Sequence, residues 1–118
     1  MAPRWSEVWE VDFGNPIGHE QANKRPALVV SSDWFNDTKA NMHVVVPFSR
    51  TLRKLGTHYR IDPPEGGLDA PSMAMIEQIR AVSLERFGAK RGSIEPESMV
   101  EVTKRLKVLL LMGSRTAA

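Results

Sequence analysis

The sequence predicts a small, mainly β (α+β) domain: a barrel-like sheet with one helix packed on it. Short apolar runs separated by turn residues recur at least five times, and only one segment, near the C-terminus, carries a helical period. The length of 118 residues is one domain's worth.

The elements follow in order. From Glu7 to Phe13, the apolar Trp9, Val11 and Phe13 alternate with Glu10 and Asp12, the period of a half-buried strand, and Gly14, Asn15 and Pro16 end it. Ala27 to Ser31 and Met42 to Phe48 are runs dominated by Val, Leu and Met and bounded by Pro26, Asn36, Asn41 and Pro47, so they read as central strands buried on both faces. Thr57 to Asp62 and Met73 to Ile79 complete the set, with the turn-rich Pro63-Pro64-Glu65-Gly66-Gly67 between them. Met99, Val102, Leu106, Leu109 and Leu110 then recur at three- and four-residue intervals, an amphipathic helix whose apolar stripe is expected in the core. Pro96 suits its first turn and Gly113 its end, with Lys and Arg in the later turns, where the helix dipole favours cations. Residues 1–113 are expected to form a single domain and residues 114–118 a frayed tail. Trp5, Trp9, Trp34 and Phe35 are expected in the core or at an interface.

Composition narrows the function. Sixteen Lys and Arg against 14 Asp and Glu leave a net charge of +2, which by itself points to neither a nucleic acid nor a membrane. With no cysteine there is no disulfide framework and no thiolate zinc site, and the three histidines lie too far apart for the short spacing of common metal motifs, so no metal or cofactor is expected. No apolar run approaches the ~20 residues that span a bilayer, and no signal-peptide core opens the chain, so a cytoplasmic protein with no membrane role is expected.

Charge becomes informative in its distribution. The thirteen residues from Gly14 to Pro26 exceed what a hairpin needs and hold His19, Glu20, Lys24 and Arg25 together, a possible proton acceptor, proton donor and phosphate clamp. By composition alone this is equally a solvated polar loop. From Arg50 to Arg60 the cations Arg50, Arg53, Lys54 and Arg60 occur without a carboxylate and beside His58 and Tyr59. Such a segment can follow a single-stranded phosphate backbone and stack a base, or simply keep a hairpin loop soluble. Glu77 and Gln78 close the last strand run, where strand alternation would point them to opposite faces.

These residues resemble a known family. Val8-Trp9-Glu10-Val11-Asp12-Phe13 followed by Gly18-His19-Glu20-Gln21-Ala22-Asn23-Lys24-Arg25-Pro26 is similar to the signature of the MazF/PemK toxin endoribonucleases of type II toxin–antitoxin systems. Val45-Val46-Pro47-Phe48-Ser49, Leu55-Gly56-Thr57-His58 and Ile76-Glu77-Gln78-Ile79-Arg80 resemble the family's later blocks, in the same order. The resemblance implies a homodimer of SH3-like, CcdB-type β-barrels, each with a C-terminal helix, that cuts single-stranded RNA at short sequence motifs without a metal and is inhibited by a MazE-like antitoxin. It implies that the substrate's 2′-hydroxyl attacks the adjacent phosphorus, leaving a 2′,3′-cyclic phosphate and a 5′-hydroxyl, and that translation stops as mRNA is cut.

Carried across, the family's active-site arginine falls on Arg25 and its loop carboxylate on Glu20, while His19 matches a histidine that some members carry and others replace by serine. Ser49 stands where a catalytic threonine is usual, keeping the hydroxyl and losing the methyl that restricts its rotamers. RNA contacts are implied for Gln21 and Lys24 in the loop, for Arg50, Arg53, Lys54, Thr57 and His58 in the basic segment, and for Glu77 and Gln78. Met75 occupies a position where some members have a proton-donating arginine, so donation falls to Arg25 or His19. Asn23 replaces a frequent glycine and Ala81 a frequent threonine; asparagine tolerates the left-handed backbone that the turn requires. A different class is a non-enzymatic toxin of the same barrel type, resembling the CcdB poisons that bind DNA gyrase. Arg25, Glu20 and Ser49 discriminate, because a binding module has no need to bring them together.

Overall fold

The buried Val8 and Val11 and the consecutive buried Ala27, Leu28 and Val29 build the first antiparallel pair, in which β1 (Glu7–Asp12) runs against β2 (Lys24–Val29), with Val8 opposite Leu28 and Asp12 opposite Lys24. A computed structural model of the protein describes residues 2–15, 17–19 and 23–112. β3 (Met42–Ser49) pairs with β2 along one edge. Its other edge is shared, with β6 (Arg80–Ser83) on Met42 to Val45 and β5 (Ser72–Met75) on Phe48 and Ser49. Pro47 therefore does not end the strand: it falls where β3 changes partner, an interruption of the ladder that suits a residue with no N–H. β4 (His58–Ile61) pairs with β5, and β7 (Phe87–Ser93) with β1, giving the order β4-β5-β3-β2-β1-β7 with β6 on β3. A four-residue helix, α1 (Asp33–Asn36), follows β2, and α2 (Pro96–Lys107) follows β7.

The sheet is buried on both faces, as the apolar runs of β2 and β3 require. Val8, Leu28, Val46, Phe48, Ile61 and Ile76 pack with Ile94, Met99 and Val102, which brings α2 onto one face. Val11, Phe13, Ala27, Val29, Val45 and Val82 form a separate cluster on the other. The turn Glu65–Gly67 presses on β7, and Gly67 has to be glycine there. Its φ is +66°, and a Cβ would lie 1.9 Å from the Arg91 carbonyl oxygen.

Several expectations change. The strand expected from Met73 to Ile79 is cut at Met75 by a 3₁₀ turn, Ile76–Gln78, after which β6 begins. β7 was not legible because Phe87-Gly88-Ala89-Lys90-Arg91-Gly92-Ser93 has no apolar alternation, and its pairing with β1 shifts register twice. Regular helix stops at Lys107 and passes into a π-type turn, Val108–Met112, so the stripe is core only as far as Leu106; Leu109 and Leu110 are exposed. Trp34, 79% exposed, and Trp5, partly exposed, are not core in the single chain, which leaves the interface half of their expectation, while Trp9 packs edge-on against Phe87. Gly113 and the tail lie outside the described residues.

Candidate active site

Arg25 belongs to a strand and not to the loop, and this fixes its place. As the second residue of β2 it reaches across to β3, where its Nη1 donates to the Phe48 carbonyl at 3.2 Å. Burial lowers the guanidinium from its ordinary value, which starts so high that the charge remains. Ser49 is the next residue along β3, so the backbone that holds Arg25 also carries the hydroxyl; its Oγ accepts from the Thr51 N–H at 3.1 Å. Asn23, at the end of the loop, has φ +64°, the left-handed turn expected of it.

The 3₁₀ turn supplies the opposite wall. Thr57 accepts the Ile76 N–H on its carbonyl at 3.0 Å, and its Oγ1 donates to Glu77 Oε1 at 2.8 Å. His58 Nε2 lies 2.9 Å from Glu77 Oε2. A carboxylate needs a donor, which assigns the ring proton to Nε2 and leaves the buried Nδ1 without a hydrogen-bond partner among the described residues. Burial works to raise the Glu77 carboxyl, but the His58 and Thr57 hydrogen bonds, with a backbone hydrogen bond and the His58 charge, hold the group below the ordinary carboxylate value. Gln78 Nε2 donates to the His19 carbonyl at 3.5 Å, joining this turn to the polar loop.

The result is a cleft of about 530 Å³ lined by His19, Arg25, Ser49, Thr51, Arg53, Leu55, His58, Met75, Glu77 and Gln78. Seven residues expected from sequence thus meet in one recess, and Thr57 joins them through Glu77. Glu77 and Gln78 share this recess rather than facing apart, because a 3₁₀ turn has no strand alternation. Lys24 and Arg50 line a neighbouring recess of about 430 Å³, whose wall also includes Arg25 and Ser49. Lys54 is exposed and lines neither. Glu20 and Gln21 lie outside the described residues. The basic segment is less naked than its sequence: Arg50 pairs with Asp69 and Arg60 with Asp62, each at 2.8 Å. Thr51 carried no signal and Leu55 only as part of its block, and the clamp of Thr57 and His58 on Glu77 became visible only when the turn brought segments 19 and 20 residues apart together.

Chemically, the cleft offers two guanidinium groups for a phosphate, a hydroxyl donor, an exposed imidazole and a fixed carboxylate acceptor. Among the described residues no group of three His, Cys, Asp or Glu could hold a metal ion, and no helix is long and apolar enough to cross a membrane. A second groove, about 700 Å³ and largely apolar, runs beside α2.

Comparison with known proteins fits this arrangement. The family model described as "PemK-like, MazF-like toxin of type II toxin-antitoxin system" matches residues 4–110. Endoribonuclease MazF9 of Mycobacterium tuberculosis is 30% identical over 116 residues, spanning 94% of this chain and 98% of that protein. The crystal structure of MazF from Deinococcus radiodurans superposes with a TM-score of 0.82 at 20% identity, over 95% of this chain and 99% of that one. A mycobacterial endoribonuclease in complex with its cognate antitoxin superposes with a TM-score of 0.77 at 22% identity, over 94% and 97% of the two chains. With matched blocks, matched fold and an unbroken family match from residue 4 to residue 110, the chain belongs to the PemK-like, MazF-like toxins of type II toxin–antitoxin systems.

Proposed function

We propose that this protein is an endoribonuclease toxin that cuts single-stranded RNA, mRNA above all, at a short sequence motif, without a metal, and so stops translation. The observation that carries the reading is the shared anchorage of Arg25 and Ser49: one residue of β3 holds the guanidinium and the next presents the hydroxyl, both on the wall of one polar cleft. Relatives named endoribonucleases support it.

The chemistry then distributes as follows. The 2′-hydroxyl gives its proton to a base as its oxygen bonds to phosphorus. The bond to the 5′-oxygen breaks and that oxygen takes a proton, leaving a 2′,3′-cyclic phosphate and a 5′-hydroxyl. Arg25 holds the scissile phosphate and offsets the charge that builds on its oxygens, and Ser49 donates to the same centre. His19, Glu20 and Glu77 are the proton-transfer candidates. Glu77 has both oxygens engaged by Thr57 and His58, which suits a fixed acceptor for a base's amino or imino group; His19 and Glu20 are left for proton transfer. Arg53, His58 and Gln78 complete the reading surface, with Lys24 and Arg50 beyond Arg25.

A MazE-like antitoxin and a second copy of the chain are the partners of this reading. An acidic antitoxin segment would be steered by the same cations that attract RNA, so its association rate should fall as salt rises. The test is incubation of the protein with mixed-sequence RNA in EDTA. Cleavage that the antitoxin suppresses is expected; intact RNA at every dose, with stabilised gyrase–DNA breaks instead, would overturn the reading in favour of a gyrase-binding toxin.

A further inference from the structure

The recess on the far side of Arg25 and Ser49 enters the reading above only through Lys24 and Arg50, yet as a whole it is built to take an anion. Glu10, Lys24, Arg25, Pro26, Phe48, Ser49, Arg50 and Arg91 enclose about 430 Å³, four cations against one carboxylate. Arg91 is the anchor. Its Nη1 meets Glu10 Oε2 at 2.8 Å, and its Nε and Nη2 both donate to the Gly67 carbonyl at 3.4 Å, so the tight Gly67–β7 contact fixes the guanidinium in place. Arg50 and Arg91 also converge on one carboxylate: Asp69 Oδ1 lies 2.8 Å from Arg50 Nη2, and Asp69 Oδ2 lies 3.5 Å from Arg91 Nη2. Two guanidinium groups sharing the two oxygens of an acid is the geometry with which a phosphate is held. Asp69 is two-thirds exposed, so it is free to swing aside.

We propose that this recess is a second RNA subsite, in which Arg91 and Arg50 hold the phosphate next to the scissile one while Asp69 competes for them as an internal anion. The strand then passes from the cleft across Arg25 and Ser49, which line both recesses. Asp69 lowers affinity for short or weakly bound strands and yields to a strand long enough to place a phosphate there. The inference rests on the reading of the protein as an RNA-cutting enzyme.

The test uses a short fluorescent single strand with 2′-deoxyribose throughout, which offers phosphates but no nucleophilic hydroxyl, titrated at several salt concentrations. Arg91→Gln should weaken binding about 10-fold, the scale of losing one hydrogen bond to a charged group. It should also reduce the slope of log affinity against log salt by about 0.7, one single-strand phosphate. Arg50→Gln, at a side chain 72% exposed, should do the same without touching the fold and guards against a folding defect in the first variant. Asp69→Asn should tighten binding. On RNA, both arginine variants should raise KM and leave kcat nearly unchanged. Unchanged slopes in both arginine variants, or weakening by Asp69→Asn as well, would overturn the subsite and leave Arg91–Asp69 as a structural pair. If the slopes change as stated but wild-type protein cuts no RNA, the proposed function fails and the recess is a single-strand phosphate site with no scissile neighbour, which overturns its place in a cutting reaction; if it cuts RNA with unchanged slopes, the function stands and the subsite fails.

Discussion

The cleft at Arg25 and the groove beside α2 are recesses of comparable size, about 530 and 700 Å³, and opposite chemistry. The groove is walled by Trp5, Ile94, Met99 and Val100, with Lys104 and Lys107 beside them, and offers no pair of groups able to hold a phosphate and move a proton. The cleft is walled by side chains that leave the ends of β2 and β3 and the turn after β5, with the Arg25 guanidinium, the Ser49 hydroxyl and the Glu77 carboxylate each already bonded. Volume would choose the groove; convergence of charge chooses the cleft. Fixed backbone at strand ends lets a small domain hold unlike polar groups at set distances, whereas a helix face presents repetition.

The largest separation of the two regions should come from Arg25→Ala, which should reduce RNA cleavage by roughly 10² to 10⁴ while the thermal midpoint stays close to wild type. Activity equal to wild type would move the site elsewhere. Next, Ser49→Ala should cost about 10², the scale of losing one donor to the developing charge, and Ser49→Thr should restore most of it. An alanine variant as active as wild type would reduce Ser49 to a turn residue.

On the helix the contrast is one of stability. Val102, fully buried, should lose about 2 kcal/mol on truncation to alanine, against about 0.5 kcal/mol or less for the exposed Val100 on the opposite face of the helix, compared by urea unfolding. Similar losses at both positions would mean that the groove is covered in solution.

The smallest effect concerns pH. The folded Glu77 carboxyl sits below its ordinary value, so the clamp adds stability above the unfolded value of about 4.3 and loses it as pH falls through the lower folded value. Glu77→Gln should flatten this acid limb in unfolding midpoints measured from neutral pH downwards. A variant limb parallel to wild type would show that the clamp of Thr57 and His58 contributes nothing.

What the sequence carried and what it did not follow the same physical line. β1, β2 and β3 were legible because their side chains alternate or fill both faces, and the helix because Met99, Val102 and Leu106 repeat at its period. β7 was not, because its glycines serve a close approach: Gly92 and Gly67 let the turn press on the strand, a constraint that leaves no apolar pattern. The site divides likewise. Arg25, Ser49 and Glu77 were named from their blocks, but that Arg25 and Ser49 share one strand junction, and that Thr57 and His58 clamp Glu77, depends on pairings between distant segments. Arg91 had no local signal at all, since only the β1–β7 pairing brings it beside Lys24 and Arg25.

The central claim, that Arg25 and Ser49 form a cutting site for RNA, is tested most directly by sequencing both ends of every fragment made from mixed-sequence RNA in EDTA, with wild-type protein beside Arg25→Ala. The account predicts 5′-hydroxyl and 2′,3′-cyclic phosphate ends clustered at one recurring motif with wild type and almost none with the variant. Absence of such ends at any dose of wild type, or the same ends in equal yield from the variant, would contradict it.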